Sequence, residues 1–383
     1  MSSLRIGIIG TTGRGGMAAH WHNPSQKRSR VTAALDVKQE FLDKFKAEVN
    51  PEAYVTRDLD DFLSRDDIDA VAIFSPDFCH EEQAVAAFKA GKHVFCEKPM
   101  AVTVDGCDSM LKAAKESGNK LMIGHNMRYM GFIRTMKEII DSGVIGEVKS
   151  AWCRHFINYG GRWYFHDWHA RRKNTTSLLL QKGAHDIDVI HWLAGGYSKE
   201  VTAFGGLDYY GGDRPDDLRC PECPDRTTCV EVQFDIEPER RHMCVFRKEI
   251  SVEDQNMLLM NLDNGVRACY LQCHFAPDAG RNYTFIGTEG RLENVTEDKI
   301  KVLTRRSNSW REYAERIYEI KPVDGTHGGA DPAIAEDFLD MLLNGIEPIA
   351  DPVAARMAVA AGCLGAQSLR DGGTPKRIPL ADL

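Results

Sequence analysis

The chain has 383 residues, a net charge of −8 and an isoelectric point near 5.9. Its 43% hydrophobic and 27% charged residues are typical of a globular protein, and its length favours two domains. The acidic balance argues against a nucleic-acid-binding protein, and no apolar stretch approaches the roughly 20 residues of a membrane span. The chain begins with a strand-like segment rather than a signal peptide, so we expect a cytoplasmic protein with reduced cysteines.

Short apolar segments alternate with helical patterns through the first third of the chain. The strand-like segments are RIGIIG, RVTAALD, AVAIFSP, HVFCEKP and KLMIGHN. Unbroken apolar strands separated by helices predict a parallel, doubly wound sheet that is covered on both faces. We therefore predict a first domain with a doubly wound parallel sheet over residues 1–124.

The pattern changes after residue 124. Alternating segments such as VKSAWCRHF, NMLLMNLDNG and VRACYLQCHF indicate hairpins in a largely antiparallel or mixed sheet. Two helical patterns return late, around PAIAEDFLDMLLNG and DPVAARMAVAAG. We predict a second α/β domain over residues 125–383 for substrate binding, with a cysteine-rich insertion at about residues 205–248.

The first strand leads into a glycine-rich turn, GTTGRGG. Gly10 and Gly15 occupy two positions of the dinucleotide motif G-x-G-x-x-G, and Thr12 replaces the middle glycine. We expect the Thr12 hydroxyl to donate to a phosphate oxygen. Gly13 beside it keeps the backbone flexible where the pyrophosphate would approach most closely. The turn is therefore predicted to bind a dinucleotide.

An acidic residue ends the second strand. Asp36 lies at about the distance from the turn at which a carboxylate accepts from a ribose 2′-hydroxyl. A carboxylate there would repel a 2′-phosphate, which favours NAD over NADP. Two alternatives remain open: Asp36 could cap the next helix, and Lys38 could accommodate NADP.

Four further motifs extend over nearly the whole chain: SPDFCH, EKP, GHNMRY and QKGAHDIDVIHWLAGG. Together they resemble the Gfo/Idh/MocA oxidoreductase family. The resemblance implies a Rossmann domain followed by an open-faced α/β domain whose sheet often packs against a partner subunit, so we expect a homodimer or homotetramer. It also implies NAD(P)-dependent oxidation or reduction of sugars or cyclitols.

The same resemblance assigns catalysis to Lys98 and His185. An ammonium at the end of the fifth strand can hold a substrate hydroxyl, and an imidazole near its ordinary pKa can take the hydroxyl proton. Further candidates for cofactor binding are Ser75, Pro76, His80, Glu97 and Asn126. Arg128 is a candidate for substrate binding, although Arg128 and Asn126 could each be a plain surface group.

A helix over QKGAHDIDVIHWL would place Gln181, His185 and Asp188 on one face, with Gln181 and Asp188 facing the substrate. His191 would lie on the other side, as a core histidine. Many dehydrogenases of the family carry aspartate at the position of Gln181. Because glutamine can orient a histidine but cannot stabilise an imidazolium by charge, the division of labour between Lys98 and His185 stays open, and Lys182 is a candidate for the polar wall.

The segment GGRWYFHDWHARRK is richer in aromatic residues than a core strand needs. Trp163 and Trp168, with Tyr164 and His169, suit stacking on the apolar face of a sugar ring. The alternative is an oligomer contact, since aromatic residues are also enriched at interfaces. We favour sugar binding.

Four cysteines cluster in the insertion: Cys220, Cys223, Cys229 and Cys244. Four thiolates can form a closed structural zinc site, although this spacing is irregular for a known zinc finger. The alternatives are free thiols or two disulfides, and a reducing cytoplasm disfavours the disulfides. Possible structural zinc therefore stands beside NAD among the predicted cofactors.

The motifs together predict an NAD-dependent dehydrogenase that acts on a secondary hydroxyl of a sugar, glycoside or cyclitol. One alternative is a redox-neutral glycosidase, in which transient oxidation of the ring acidifies a neighbouring C–H. Another is a regulator that senses a sugar or dinucleotide without catalysis. A regulator has no need of Lys98 and His185, so their presence favours an enzyme.

Overall fold

The computed structural model describes residues 3–22, 27–233, 242–305 and 313–380. Contacts between residues divide the chain into two compact units. Within the described ranges, the first unit comprises residues up to 134 together with 321–359, and the second comprises 135–320 and 360–380. Each unit thus takes segments from distant parts of the chain. The single domain boundary after residue 124 stays a prediction.

Residues 4–123 form a six-stranded sheet with helices between the strands. The strands are β1 (Leu4–Ile9), β2 (Ser29–Leu35), β3 (Tyr54–Thr56), β4 (Ala70–Ile73), β5 (His93–Cys96) and β6 (Leu121–Ile123). The helices are α1 (Ala18–Trp21), α2 (Gln39–Glu48), α3 (Leu59–Leu63), α4 (His80–Lys89) and α5 (Val104–Ser117). The strands are all parallel, in the order β3-β2-β1-β4-β5-β6. The predicted doubly wound Rossmann sheet is confirmed.

The local sequence explains why these elements form. Every residue of β4 is buried, as a strand with both faces covered requires. Helix α5 begins where the Thr103 side chain accepts from the backbone N–H of Gly106, and it ends at Gly118, which has a φ of 70°. Both are ordinary helix boundaries.

The second unit is built around a nine-stranded sheet. Its strands are β7 (Val148–Phe156), β8 (Ser198–Gly206), β9 (Gln255–Leu262), β10 (Arg267–Cys273), β11 (Gly280–Gly287), β12 (Gly290–Thr296), β13 (Lys299–Arg305), β14 (Tyr313–Glu319) and β15 (Lys376–Arg377). The order is β14-β13-β12-β11-β7-β10-β9-β8-β15. Neighbours are antiparallel except β7 and β10, which are parallel. The predicted mixed, mostly antiparallel sheet is confirmed.

One face of this sheet is packed and part of the other is open. Buried and less buried residues alternate along β9 and β10, as expected for a strand with one face on a core. The side chains of Phe204, Met257 and Leu259 are 61%, 52% and 53% exposed. The open face is therefore partly apolar.

The remaining helices are α6 (Gly131–Asp141), α7 (Arg172–Thr175), α8 (Leu178–Gln181), α9 (Gly183–Ala194), α10 (Ala330–Asn344) and α11 (Pro352–Arg370). Helix α10 belongs to the first unit. Its Ala335 carbonyl accepts from Trp21 Nε1 at 3.1 Å, and the ring of Phe338 lies 5.5 Å from that of Phe95. Across the described ranges, no helix combines the length and the apolar character that crossing a bilayer requires.

Candidate active site

The glycine-rich turn has the geometry that a pyrophosphate needs. Gly10 and Gly13 have φ values of +83° and +58°, a region that favours glycine. A Cβ atom on Gly15 would lie 2.3 Å from the Gly10 carbonyl oxygen, whereas one on Gly13 would meet open space. Thr12 precedes a 3₁₀ turn over Gly13–Met17, which leads into the short helix α1. The turn fits a dinucleotide despite Thr12.

Asp36 holds this turn from the end of β2. Its carboxylate accepts from the backbone N–H of Thr11 at 2.9 Å and from the Thr11 hydroxyl at 3.0 Å. The N-cap residue of α2 is Lys38, so the alternative of Asp36 as that cap is wrong. A carboxylate with two oxygens has acceptor capacity left for a ribose hydroxyl.

The turn after β4 is tied to the turn after β5 by a buried histidine. His80 is fully buried, with Nδ1 2.8 Å from the Pro99 carbonyl and Nε2 3.0 Å from the Ser75 carbonyl. The Ser75 hydroxyl donates to Gln83. Pro76 precedes the 3₁₀ turn Asp77–Cys79, which leads into α4. His80 therefore fixes the backbone on both sides of the strand ends.

An arginine in the glycine-rich turn links two carboxylates. Arg14 Nε lies 2.7 Å from Glu97, and its terminal nitrogens lie 2.7 Å and 3.0 Å from Asp331. Asp331 also accepts from Asn126 Nδ2 at 2.9 Å and lies 2.8 Å from His327 Nδ1. We call these five residues the Arg14 network.

Charge pairing dominates the pKa values in this network. Burial lowers the pKa of Arg14, but the charges of Glu97 and Asp331 outweigh it, so the pKa lies above the ordinary value. Burial raises the pKa of Asp331, but hydrogen bonds from His327 and Arg14 outweigh it, so that pKa lies well below the ordinary range. Both groups stay charged at neutral pH.

Lys98 follows β5 and is partly exposed, although the strand residues Val94, Phe95 and Cys96 are buried. Arg128 is buried, and its guanidinium donates to the Ile349 carbonyl at 2.7 Å. Asn126 is buried as well. The alternative of Arg128 and Asn126 as surface groups is therefore wrong.

The segment predicted as one helix is two. Helix α8 ends at Gln181, and α9 begins at Gly183, with Lys182 between them. Lys182 keeps helical backbone angles, with φ of −92° and ψ of −39°, so the placement of Gln181 on the same face as His185 and Asp188 stays a prediction. The Ser177 side chain accepts from the N–H of Leu180, which starts the short α8 separately.

Three candidate residues on α9 differ in exposure. His185 is partly exposed and Asp188 is buried. His191 is buried, and its Nε2 lies 2.7 Å from the Ser198 hydroxyl, so its prediction as a core histidine is confirmed.

A fully buried carboxylate lies beside His185 in sequence. Asp186 pairs with Arg281 Nε at 2.8 Å and accepts from His155 Nδ1 at 2.9 Å. It also accepts from the hydroxyls of Tyr270, at 2.8 Å, and Tyr283. Burial raises the pKa of Asp186, but Arg281 and His155 outweigh it, and the pKa lies below the ordinary range. We call these five residues the Asp186 network.

The aromatic segment forms part of the second unit. The Trp168 ring stacks on His169 with centroids 3.7 Å apart, and the Tyr164 ring lies 5.4 Å from that of His169. Trp163 is 38% exposed and carries Arg162 over its ring. The assignment of these rings to sugar binding stays a prediction.

The four insertion cysteines are close together. Cys220, Cys223, Cys229 and Cys244 line one cavity of about 20 Å³, and all are free thiols, so the disulfide alternative is wrong. Within the described part of the chain, no three His, Cys, Asp or Glu side chains are arranged to hold a metal ion. Structural zinc is therefore not supported by this geometry.

Three groups stand out that we had not selected from the sequence. Arg14 and Asp331 are 317 residues apart, and no local pattern connects them. His274 is fully buried, and its ring lies 5.1 Å from that of Tyr164. Only Arg14 had a sequence signal, as the one charged residue inside the glycine-rich turn.

Two family descriptions match this chain. Residues 4–125 match "Oxidoreductase family, NAD-binding Rossmann fold", and residues 137–377 match "Oxidoreductase family, C-terminal alpha/beta domain", the two parts of Gfo/Idh/MocA proteins. The first match identifies an NAD-binding domain.

Relatives and solved structures resemble the chain to different extents. YteT of Bacillus subtilis (strain 168), an oxidoreductase by name, is 28% identical over 70% of this chain and 72% of its own length. The 2,7-anhydro-N-acetylneuraminate hydratase of Mediterraneibacter gnavus is 31% identical over 56% of this chain, which spans 55% of that relative. The structure of levoglucosan dehydrogenase with NADH and levoglucosan has a TM-score of 0.79 at 18% identity, covering 98% of this chain and 100% of the other. At that identity the likeness concerns the fold alone.

Proposed function

This chain belongs to the Gfo/Idh/MocA oxidoreductase family, and from that premise we propose that it is an NAD-dependent dehydrogenase of a secondary hydroxyl on a sugar, glycoside or cyclitol ring. The observation that carries the proposal is the exposure of two residues. Lys98 and His185 are each partly exposed next to buried segments, where a group that meets substrate has to be. The name of the 2,7-anhydro-N-acetylneuraminate hydratase of Mediterraneibacter gnavus supports a sugar-type substrate.

Lys98 and His185 divide the handling of one hydroxyl in this proposal. Lys98 Nζ donates a hydrogen bond to the substrate oxygen and stabilises the negative charge that develops there. The hydroxyl proton passes to an imidazole nitrogen of His185 as the carbonyl forms. Bound NAD⁺ supplies the hydride acceptor. The alcohol thus becomes a ketone, because its carbon loses a hydride and its oxygen loses a proton.

The cofactor side of the proposal uses the first unit. Gly10, Thr12, Gly13 and Gly15 offer backbone and hydroxyl donors to the pyrophosphate, and Asp36 accepts from the adenosine ribose. This carboxylate favours NAD over NADP. The remaining cofactor-side residues shape the edge of the sheet where the nicotinamide would lie: Ser75, Pro76, His80, Glu97 and Asn126. His80 does so through its contacts with the backbone.

The substrate side of the proposal uses polar and aromatic groups. Asp188 and Gln181 accept from ring hydroxyls, and Trp163 or Trp168 stacks on the apolar face of the ring. Arg128 positions the backbone near residue 349 through its carbonyl contact. The stacked pair of Trp168 and His169 supports an aromatic platform.

We also propose that the protein is a homo-oligomer in the cytoplasm. The exposed side chains of Phe204, Met257 and Leu259 on the open sheet face support pairing with another copy, because such apolar surface is favourably removed from water. The eleven free cysteines support a reducing compartment.

A redox-neutral reaction is the second candidate, and one relative favours it. The hydratase of Mediterraneibacter gnavus is named for the addition of water rather than for net oxidation. In such a reaction Lys98 and His185 would act on a hydroxyl that is oxidised and then restored.

The deciding experiment measures NADH formation by the purified protein with NAD⁺ across a panel of sugars, glycosides and inositols. We expect steady NADH formation with at least one ring alcohol. Failure with every compound would contradict the dehydrogenase. Product formation without NADH accumulation, detected by chromatography, would establish the redox-neutral reaction instead.

A further inference from the structure

Lys182 shares the open side of its segment with His185. Between Gln181 and Ile190, only Lys182 and His185 are not fully buried. They are three residues apart at the start of α9, a spacing that brings side chains onto one helix face. Lys182 therefore lies beside the proposed proton acceptor.

Lys182 has a cationic neighbourhood. Its charged and ionisable neighbours in the second unit include Arg281, Asp186 and Tyr159, together with His155 and His274. Asp186 is already engaged by Arg281, His155 and two tyrosine hydroxyls. Among the described residues, no carboxylate lies within ion-pair distance of Lys182. Burial lowers the pKa of Lys182, and the charge of Arg281 lowers it further.

His274 supplies the second observation. It is fully buried, and among the described residues neither of its ring nitrogens has a hydrogen-bond partner. Its ring lies 5.1 Å from that of Tyr164, and Lys182 Nζ lies 6.0 Å from the centroid of the same ring. Lys182 and His274 therefore offer unused donors around one aromatic side chain. A buried polar group of this kind is expected to have a partner.

The charge balance identifies that partner. Lys182 and Arg281 carry two positive charges against the one negative charge of Asp186, and His155 has its pKa lowered to about 4, chiefly by burial, so it is neutral near pH 7. One positive charge is left over in a partly desolvated place, which is unfavourable without an anion. A carboxylate restores neutrality, whereas a phosphate dianion would reverse the imbalance.

We propose that the substrate ring carries a carboxylate, and that Lys182 and His274 bind it. The inference rests on the proposed function, because it names the substrate class of that site. Lys182 thus selects acidic sugars or acidic cyclitols over their neutral counterparts. A charge-assisted hydrogen bond of this kind corresponds to a preference of about 10- to 100-fold.

The test is calorimetric binding to the NADH-loaded protein, which requires no turnover. The probes are D-glucuronate and D-galacturonate, each paired with its neutral sugar, together with D-glucose 6-phosphate. We expect at least one uronate to bind 10-fold or more tightly than its neutral partner. Lys182→Gln should reduce that ratio to about one, and Lys182→Arg should retain most of it. Lys173→Gln, an exposed lysine on α7, is the matched control and should keep the full ratio.

Equal binding of every acid and its neutral partner would overturn the inference, as would a preference for the phosphate or an unchanged ratio in Lys182→Gln. If that variant does not fold, the wild-type ratio and the Arg variant still decide. A preference for uronates, together with failure of every ring alcohol to yield NADH, would remove the dehydrogenase proposal and leave this one standing. Oxidation of neutral sugars with an unchanged KM in Lys182→Gln would do the reverse.

Discussion

The Arg14 network in the first unit and the Asp186 network in the second are both built around a buried carboxylate, but their charges differ. In the first, Asp331 and Glu97 share one guanidinium and His327 adds a further donor. In the second, Asp186 alone faces Arg281 and Lys182. The first network has two carboxylates for one guanidinium, whereas the second, with Lys182 beside it, has two cations for one carboxylate.

This difference suits the two networks to different tasks: the first holds protein backbone in place, and the second discriminates between ligands by their charge. In the Arg14 network the guanidinium and both carboxylates are already paired with each other, so the network holds the strand ends without a ligand. The excess cation beside the Asp186 network favours ligands of negative charge and disfavours others. Each network also has a lysine beside it, Lys98 after Glu97 and Lys182 near Asp186. Variants in the first and the second unit should therefore differ in their effects on turnover, stability and ligand binding.

Removing the Lys98 ammonium should produce the largest loss of turnover. In Lys98→Met we expect kcat to fall at least 1,000-fold, about 4 kcal/mol, because the developing oxyanion loses its charged donor. NADH affinity, measured by fluorescence titration, should change less than threefold. A variant that keeps more than a tenth of wild-type kcat would contradict the role of Lys98. Lys92→Met, which lies one residue before β5, is the matched control.

Neutralising the central carboxylate should affect the two units unequally. Asp186→Asn leaves Arg281 and Lys182 without an anion, and we expect the free energy of unfolding to fall by about 3 kcal/mol or more. Asp331→Asn leaves Arg14 paired with Glu97 at 2.7 Å, and the loss should be about 1 kcal/mol. Urea denaturation of both variants measures the difference. Equal losses would break the comparison.

Asp36→Ser should weaken NAD binding and reduce the preference over NADP. We expect the KM for NAD⁺ to rise about 30-fold, about 2 kcal/mol, because a charged acceptor for the ribose is lost. The KM for NADP⁺ should fall, since the repulsion of a 2′-phosphate is removed. The exposed Asp43→Ser on α2 is the control. Unchanged constants for both cofactors would remove Asp36 from the cofactor site.

The Asp186 network should also make stability depend on pH. Burial, the largest influence, lowers the pKa of His155 to about 4, from about 6.5 when unfolded. Between these values the unfolded chain binds a proton that the folded chain does not, so stability falls as pH falls from 6.5 towards 4. The expected slope from this residue is up to about 1.4 kcal/mol per pH unit. Urea denaturation at several pH values should show that stability depends less steeply on pH in His155→Gln than in the wild type, by that amount. An identical slope in both proteins would contradict the lowered pKa of His155.

The sheet architecture was predictable from the sequence because apolar periodicity is a local property. The buried runs of β1 and β4 predicted a parallel sheet, and alternation along β9 and β10 predicted a sheet with one packed face. The one-residue interruption at Lys182 between α8 and α9 was not predictable, because the spacing of Gln181, His185 and Asp188 fits a continuous helix.

The candidate site was only partly predictable for the same reason. The glycine turn, Asp36, Lys98 and His185 belong to short motifs and could be selected directly. Asp331 could not, because its partners Arg14 and Asn126 precede it by 317 and 205 residues. His274 could not either, since an unbonded buried histidine has no sequence signature. The zinc prediction relied on spacing alone, and the geometry of the described thiols does not support it.

Helix α10 has a consequence for synthesis. Ala335, the carbonyl partner of the Trp21 indole, follows it by 314 residues. The ribosome therefore finishes every strand of the Rossmann sheet long before it makes the helix that shields that tryptophan. Until then Trp21 and Phe95 lack their contacts with Phe338, and Arg14 lacks Asp331. Because exposed apolar surface promotes aggregation, we expect a fragment ending at residue 134 to aggregate more readily than the full chain.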